Sequence, residues 1–263
     1  MIIGAMKAGT TTAFDLLSQH PQICASKVKE PEFFSPYSGT KLNNYYDLWE
    51  IDGTQHRYRM EASTGYTKSL SSSVPKNIRR YGINPKLIYI LRDPLDRIES
   101  HYNFMKRSFG MDWNSRIDDE HLVIASDYAR HIDNFLGEFP RENMLICDFR
   151  TLSENPLKFC RNCFEFLDVD HPKNITVGTP KNATRYDTSI TEAWVRRKLK
   201  PFRSLMPHAA IQPMKRAIDL FPKTGRKVSL TNKQKEAIMH QLYPGMIRLE
   251  KQYNFDVKQW GFH

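Results

Sequence analysis

The sequence predicts an α/β fold in which a central parallel sheet is flanked by helices on both faces. Two apolar runs, at residues 1–4 ("MIIG") and 86–91 ("KLIYIL"), are each followed at once by a turn and a segment of helical character. Shorter apolar runs at residues 57–63 and 143–149 alternate with amphipathic segments. Buried strands that alternate with helices form parallel sheets covered on both sides. We therefore expect a three-layer fold whose ligands bind beyond the carboxyl ends of the strands.

The first strand leads directly into a glycine loop and a helix. This helix, "TTTAFDLLSQHP", has Thr10 or Thr11 as its predicted N-cap, and Pro21 ends the segment. After the second apolar run, Asp93 supplies an N-cap and Pro94 supplies the first helical position of "LDRIESHYNFMKRS". The sequence therefore predicts two strand-to-helix corners.

The later part of the chain is predicted to supply further helices of the outer layers. Apolar side chains recur at three- and four-residue steps over residues 119–139, which predicts one amphipathic helix, and residues 155–167 repeat the pattern. A capping box formed by Thr231 and Gln234 begins the final helix, in which Pro244 should produce a kink.

The length and charge of the chain limit its class. A chain of 263 residues can form one well-buried core, and we predict a single domain over residues 1–263. Prolines and basic segments become frequent in the later part of the chain, so residues 172–230 are interpreted as a lid or substrate-facing subregion. Lys and Arg number 39 against 29 for Asp and Glu, and the resulting net charge of +10 favours a polyanionic partner.

The cysteines and the hydropathy pattern argue against two further classes. Four cysteines are too few for a disulfide-built scaffold, and the i, i+3 spacing of Cys160 and Cys163 favours core packing over a metal or redox site. No apolar stretch approaches the roughly 18 to 20 residues of a membrane span, and no signal peptide precedes the first strand. The sequence is typical of a soluble protein with free thiols.

The glycine loop, "GAMKAGTTT" at residues 4–12, carries the strongest chemical signal. Gly4 and Gly9 have the spacing of the phosphate-binding P-loop, G-x-x-x-x-G-K-[ST], but Thr10 stands where that motif has lysine, and Lys7 lies inside the loop instead. The backbone amides of such a loop and of the following helix form an anion cradle. The pattern predicts a P-loop-like fold whose cation lies near the bond between a 5′-phosphate and the group that is transferred.

Metal-free chemistry is favoured because the sequence has no strand that ends in a clear metal-binding aspartate. The apolar run at residues 87–91 is followed by Arg92 before Asp93, whereas a P-loop kinase holds Mg²⁺ with such a residue. A nucleotide or small-molecule kinase with an aberrant P-loop is one alternative. A basic nucleic-acid-binding module is another, although the aromatic residues occupy core-like periodic positions instead of alternating with basic ones.

At these residues the chain resembles the sulfotransferases that use 3′-phosphoadenosine 5′-phosphosulfate, especially the branch of heparan-type carbohydrate and bacterial enzymes. Its "IIGAMKAGTTTAFDLLSQHP" is similar to their 5′-phosphosulfate loop. Its "LIYILRDPLDRIESHY" is similar to their 3′-phosphate signature, whose arginine and serine correspond to Arg92 and Ser100. The resemblance implies that this compound is the donor, that adenosine 3′,5′-bisphosphate is the product and that no metal is needed.

The resemblance and the loop chemistry together give a set of candidate donor ligands. Lys7 is also predicted to be catalytic, because its charge lies where the leaving 5′-phosphate becomes more negative. A weaker similarity of "FPKTGRKVSLT" to a late basic cofactor loop adds two residues to the set. The predicted donor ligands are Lys7, Ala8, Gly9, Thr10, Thr11, Thr12, Arg92, Ser100, Arg226 and Lys227.

The catalytic base is predicted from the segment "KVKEPEFFS". Glu30 is spaced from Phe33 and Phe34 as the catalytic glutamate of the heparan-type enzymes is spaced from its own pair of phenylalanines. The resemblance therefore implies that Glu30 takes the proton from the acceptor hydroxyl. Glu32 stands where those relatives often have histidine, so the sequence leaves either carboxylate as the base.

The acceptor contacts are predicted from "EASTGYT", which resembles a stretch near the family's reaction centre but has Ala62 in place of a lysine. The predicted contacts are Glu61, Ser63, Tyr66 and Arg185. The resemblance implies a hydroxyl of a carbohydrate or small metabolite as the acceptor and no nucleic-acid partner. A cytoplasmic location is expected, or the Golgi lumen if an N-terminal anchor has been removed, and the sequence leaves the oligomeric state open.

Overall fold

The computed structural model describes residues 1–35, 44–69, 73–109, 115–172, 174–178 and 227–263. The strands of these ranges are, in chain order, β1 (Ile2–Gly4), β2 (Ile23–Ala25), β3 (Tyr58–Met60), β4 (Leu87–Leu91) and β5 (Met144–Asp148). The α-helices are α1 (Thr10–Leu17), α2 (Val74–Arg80), α3 (Pro94–Phe109), α4 (Glu120–Ile124), α5 (Tyr128–Leu136), α6 (Phe149–Glu154), α7 (Pro156–Leu167) and α8 (Asn232–Tyr253). Most of the predicted subregion at 172–230, with Arg185 and Arg226, lies outside the described residues.

The central sheet is parallel, as predicted. Its strand order is β1–β4–β5, and β4 is buried along its whole length, as expected for a strand covered on both faces. A second parallel pair, β2–β3, lies beside β1, because the residues after β3 bond to the first strand. Ile2 N donates to Glu61 O (2.9 Å) and Ser63 N donates to Ile2 O (3.0 Å). The predicted α/β fold with a parallel sheet is confirmed.

The two corners that carry the predicted site residues leave the sheet at the same edge. β1 ends at Gly4 and β4 ends at Leu91, and these strands are parallel neighbours. Ala5 N donates to Ile90 O (2.8 Å), which keeps the start of the glycine loop beside the end of β4. Side chains from both corners therefore share one side of the domain.

The predicted single helix over residues 119–139 is wrong, because the segment forms two helices, α4 and α5. In a continuous helix Leu122 O would accept from Ser126 N, but Ser126 N donates to Val123 O instead (2.8 Å). Arg97 of α3 donates to Leu122 O and, through Nε, to Ser126 Oγ (2.5 Å). A buried guanidinium from another helix thus takes the carbonyl that would have continued α4.

The remaining helix predictions are largely confirmed. The capping box is present at α8, where Thr231 N donates to Gln234 Oε1 (3.0 Å) and Gln234 N donates to Thr231 Oγ1 (3.3 Å). Pro244 lies inside α8, which continues to its end at Tyr253. All four cysteines are free. None of the helices in the described ranges combines the length and hydropathy needed to span a bilayer.

Candidate active site

The first corner joins β1 to α1 and leaves the N-terminus of the helix without a side-chain cap. Gly9 is the N-cap, instead of Thr10 or Thr11, and it adopts a left-handed conformation with φ 79°. A Cβ atom here would lie 2.8 Å from a methyl carbon of α6, so both backbone and packing require glycine. The first helical bond runs from Ala13 N to Gly9 O (3.0 Å), and the amides of the first turn precede it. This turn can present N–H groups and its positive dipole end to an anion.

The predicted donor ligands of the loop differ in what they can offer. Ala8 is buried, and its amide donates to Ala5 O (3.0 Å), so Ala8 shapes the loop and offers neither its side chain nor its amide as a ligand. The Thr10 side chain is also buried, whereas Thr11 and Thr12 are half-buried. Hydroxyl donors at the corner therefore come mainly from the second and third residues of α1.

Lys7 places its ammonium inside the loop. Its backbone is left-handed, with φ 72°, and its Nζ lies 4.3 Å from the centre of the Phe104 ring of α3. Burial first, and the charges of Arg107 and Arg92 after it, lower the pKa of Lys7 to about 8, while the Glu30 charge acts in the opposite direction. Lys7 is thus a half-buried cation among other cations, in a site that would be stabilised by an anion.

At the second corner, a side chain caps the N-terminus of α3. The Asp93 side chain accepts from Leu95 N (2.8 Å) and Asp96 N (3.1 Å), which is the predicted N-cap. Burial raises the pKa of this carboxyl, while its backbone bonds lower it. Because these amides are already bonded, this corner must bind an anion through side chains.

Arg92 connects the two corners. Its Nη1 donates to Lys7 O (3.0 Å), and its guanidinium carbon lies 4.9 Å from the centre of the Phe149 ring. Its Nη2 is 3.5 Å from Asp96 Oδ2, and its Nε is buried with no hydrogen-bond partner among the described residues. A buried donor without an acceptor is costly, so this guanidinium is prepared for a further acceptor such as a phosphate oxygen.

Helix α3 carries the other predicted phosphate ligand on the face that meets the glycine loop. Ser100 is buried and lies one turn after Asp96 and one turn before Phe104, the ring under the Lys7 ammonium. Lys227, also predicted to hold the donor, forms an ion pair with Glu99 (2.8 Å). Its side chain is 45% exposed.

A different face of α3 buries a charge. Arg97 is 0% exposed, and its Nη1 donates to His101 Nδ1 (3.2 Å) in addition to its bonds with α4. Burial first, and the Arg97 charge second, hold the pKa of His101 well below its ordinary value. His101 is therefore a neutral acceptor in the core.

The structure brings both candidate bases to this side of the domain but holds them differently. Glu30 has a left-handed backbone (φ 56°), its N donates to Ala62 O (3.0 Å), and its side chain is 43% exposed. Its Oε1 accepts from Lys29 Nζ (2.8 Å). The Glu30 carboxylate is therefore accessible to a bound hydroxyl.

Glu32 is less exposed than Glu30, and its carboxylate is bonded to the backbone. Its Oε1 accepts from Gly65 N (2.7 Å), and its Oε2 is buried without a hydrogen-bond partner in the described ranges. Burial raises the pKa of Glu32, the Gly65 bond and Lys68 lower it, and the Glu30 charge raises it again. A Cβ atom at Gly65 would come within 2.1 Å of this carboxylate, so a side chain at position 65 would displace it.

The structure buries three of the predicted acceptor contacts, Glu61, Ser63 and Tyr66, whose side chains are all 0% exposed, and their contact with the acceptor stays a prediction. The Glu61 carboxylate accepts from Ser63 Oγ (2.6 Å), Tyr66 OH (2.8 Å) and Tyr45 OH (3.2 Å). Burial raises the pKa of Glu61, and its hydroxyl donors oppose that shift. The local spacing in "EASTGYT" gives no sign of burial, and Tyr45 was not predicted at all.

The buried network around Glu61 nevertheless contributes to the site, because it lies next to bonds that hold the backbone of both candidate bases. Ser63 Oγ accepts from Glu32 N (3.0 Å), and the neighbouring Ala62 O accepts from Glu30 N. The backbone positions of both candidate bases are therefore fixed by the residues around Glu61. Among the described residues, no group of three or more His, Cys, Asp or Glu side chains could hold a metal ion.

The chain is similar to known sulfotransferases. A sequence profile described as "Sulfotransferase domain" matches residues 1–195 of the 263. The human heparan sulfate glucosamine 3-O-sulfotransferase 3B1 is 29% identical over 190 residues, which cover 64% of this chain and 45% of that protein. The Drosophila melanogaster bifunctional heparan sulfate N-deacetylase/N-sulfotransferase is 25% identical over 206 residues, which cover 64% of this chain and 19% of that protein. The chain thus spans less than half the length of these relatives.

One solved structure matches nearly the whole chain. The sulfotransferase from Alicyclobacillus acidocaldarius has a TM-score of 0.68 at 19% sequence identity, and the match covers 99% of this chain and 97% of that one. At this identity the match shows that the fold is shared.

Proposed function

This chain belongs to the sulfotransferase domain family, and we propose that it moves a sulfuryl group from 3′-phosphoadenosine 5′-phosphosulfate to an acceptor hydroxyl. One observation carries the proposal: Arg92 Nη1 donates to the carbonyl oxygen of Lys7 (3.0 Å). This bond places the cation of the second corner beside the open helix terminus of the first. A donor with phosphates at two ends of one ribose needs two such neighbouring sites.

In this proposal, each of the two corners binds a different phosphate of the donor. The first turn of α1 and Lys7 hold the 5′-phosphosulfate, where amides and a helix dipole favour negative charge. Arg92 and Ser100 hold the 3′-phosphate, and the buried Nε of Arg92 gains the acceptor it lacks among the described residues. The left-handed Gly9 gives the phosphate room to approach the backbone.

The proposed reaction is an in-line displacement at sulfur. Glu30 accepts the proton of the acceptor hydroxyl, the acceptor oxygen forms a bond to sulfur, and the bond from sulfur to the 5′-phosphate oxygen breaks. Lys7 and the amides at the start of α1 stabilise the charge that grows on that oxygen. Glu30 is favoured over Glu32 because its carboxylate is more accessible, whereas Glu32 is fixed by Gly65 N.

The proposed acceptor is a hydroxyl on a carbohydrate or a small metabolite. The names of the relatives, which are enzymes of heparan sulfate, favour a sugar, and the net charge of +10 favours an acidic one. The absence of a lysine at Ala62 separates this chain from the pattern it otherwise resembles. Location in the cytoplasm remains part of the proposal, and cell fractionation tests it.

A transfer assay tests the function. Radiolabelled donor is incubated with sugars, lipids and phenols in the presence of EDTA, and mass spectrometry identifies the oxygen that gains the label. We expect labelled product without metal, a loss of about 10²-fold or more in Glu30→Gln, and a smaller loss in the matched control Glu32→Gln. Binding of ATP only with magnesium, and no transfer to any acceptor, would support the kinase alternative. The reverse order of the two glutamine variants would move the base to Glu32.

A further inference from the structure

A third face of α3 holds the segment that precedes the last helix. Glu99 and Asn103 lie one turn apart, both side chains are buried, and both bond to residues 227–230. The partners are about 125 to 131 positions apart in sequence. The contact is therefore a tertiary one that no local pattern produces.

Asn103 pairs with the backbone of Val228 as a neighbouring strand would. Its Nδ2 donates to Val228 O (2.8 Å), and Val228 N donates to its Oδ1 (2.9 Å). The same Nδ2 donates to Glu99 O (2.7 Å), which fixes the amide against its own helix. With both ends of a planar amide bonded, the position and direction of residue 228 are defined.

Glu99 bonds to one residue before Val228 and to one residue after it. Its Oε1 accepts from Leu230 N (3.0 Å), and its Oε2 pairs with Lys227 Nζ (2.8 Å). Burial raises the pKa of Glu99, but the bonds from Lys227 and Leu230 prevail and leave it below the ordinary value. The carboxylate is therefore ionised and holds the ammonium of Lys227 at the surface of α3.

The position of this contact relates it to the donor. Ser100 lies next to Glu99 in sequence and one turn before Asn103, so the face that holds residues 227–230 borders the face that carries Ser100. The Ser100 face is the one whose Phe104 ring lies under the Lys7 ammonium. Residues 227–230 consequently form a side of the region in which the 3′-phosphate is proposed to bind.

We propose that Glu99 and Asn103 are positioning residues, which fix residues 227–230 as one wall of the donor site and thereby set its selectivity for a ligand with a 3′-phosphate. The inference rests on the proposed function, because it assigns a role within the same site. Neither side chain needs to touch the donor.

The test compares two nucleotides that differ only in the 3′-phosphate. Dissociation constants for adenosine 3′,5′-bisphosphate and adenosine 5′-monophosphate are measured by calorimetry with wild type, Asn103→Ala and Glu99→Gln. In Asn103→Ala we expect bisphosphate affinity to fall about tenfold, with monophosphate affinity changed less than about twofold. Glu99→Gln keeps an acceptor for Leu230 N but loses the ion pair, so a loss of about threefold is expected.

The matched control is Asn155→Ala. Asn155 caps α7 by accepting from Lys158 N (3.0 Å), so its removal also costs helix stability but lies outside the donor site. The preference of the Asn155→Ala variant for the bisphosphate over the monophosphate should equal that of wild type. An unchanged preference in Asn103→Ala and Glu99→Gln would overturn the inference and leave the proposed function standing. If Asn103→Ala does not fold, Glu99→Gln alone decides in the same way. A wild type that binds both nucleotides equally would overturn the proposed 3′-phosphate site and this inference together.

Discussion

The two strand-to-helix corners share one supersecondary structure but use the helix terminus in opposite ways. At the first, a left-handed Gly9 begins α1 with no side-chain cap. At the second, the Asp93 carboxylate caps α3 by accepting from two amides. One corner can therefore bind an anion with its backbone, while the other must use the side chains of Arg92 and Ser100.

In the proposed function, this difference separates the two phosphates of the donor. At the first corner, the left-handed Gly9 has no side chain, so the reacting group has room to approach the backbone amides. Lys7 adds a positive charge whose position is set by the loop. A capped helix start is more stable, and it provides a fixed base from which a guanidinium can hold a group that does not react. Substitutions at one corner test whether the other corner responds.

The largest effect is expected from Lys7→Ala. Loss of a donor to the developing charge should reduce the single-turnover transfer rate by 10² to 10³, about 3 kcal/mol, because that charge is greatest in the transition state. The dissociation constant for adenosine 3′,5′-bisphosphate, measured in parallel, should change much less. Equal losses in rate and binding would mean that Lys7 only holds the donor.

Arg92→Ala should weaken bisphosphate binding more than it lowers the transfer rate, which is the reverse of Lys7→Ala. Removal of a charge-assisted bond from the 3′-phosphate should weaken bisphosphate binding by about 10-fold to 10²-fold, with a smaller effect on the transfer rate at saturating donor. Asp93→Ala is the control from the same corner: it removes the cap and should cost about 1 kcal/mol of unfolding free energy. If the two variants bind the bisphosphate equally well, Arg92 is not its ligand.

Gly9→Ala should damage the first corner through its backbone. A Cβ atom would meet α6 at 2.8 Å, and φ is 79°, so we expect a loss of about 1–3 kcal/mol in the free energy of unfolding, measured with urea. The matched control is Gly137→Ala, where φ is −65° and the nearest atom to a new Cβ is 3.6 Å away. That substitution should be neutral or stabilise by about 0.4–1 kcal/mol. Similar values for the two would remove the argument for a strained loop.

The smallest expected effect is a pH dependence of bisphosphate affinity that arises from Lys7, at the first corner. The pKa of Lys7 is lowered to about 8, so the ammonium is charged below that pH and neutral above it. Bisphosphate affinity should be constant from pH 7 to about 8 and then decline by at most about tenfold per pH unit. In Lys7→Arg the guanidinium stays charged, and the decline should disappear from this range. A decline that persists in Lys7→Arg would have to come from another group.

Sequence reasoning succeeded where the signal is local. The glycine spacing, the Asp93 cap and the Thr231 capping box each involve residues within a few positions of one another, and their geometry follows from the chain itself. The corner containing Gly9 was also found, although its cap was assigned to a threonine. A left-handed glycine and a threonine are both acceptable N-caps in sequence, and only the packing against α6 decides between them.

The failures share a dependence on distant residues. The break between α4 and α5 needs Arg97, more than twenty positions earlier in the chain. The burial of Glu61 depends on Tyr45 and on the pairing of its segment with Ile2. The contact of Asn103 with Val228 joins positions 125 apart. Periodicity and spacing contain no information on such pairs.

The buried guanidinium of Arg97 has a consequence for the unliganded protein. Its described hydrogen-bond partners are neutral oxygens and a neutral imidazole, so a full positive charge persists in the interior close enough to lower the pKa of neighbouring groups. In a medium of low polarisability such a charge also repels Arg92. A polyanion bound as proposed would relieve this repulsion, so the fold and its ligand would stabilise one another. The proposed site therefore implies that the domain without its ligand is the less stable form of the molecule.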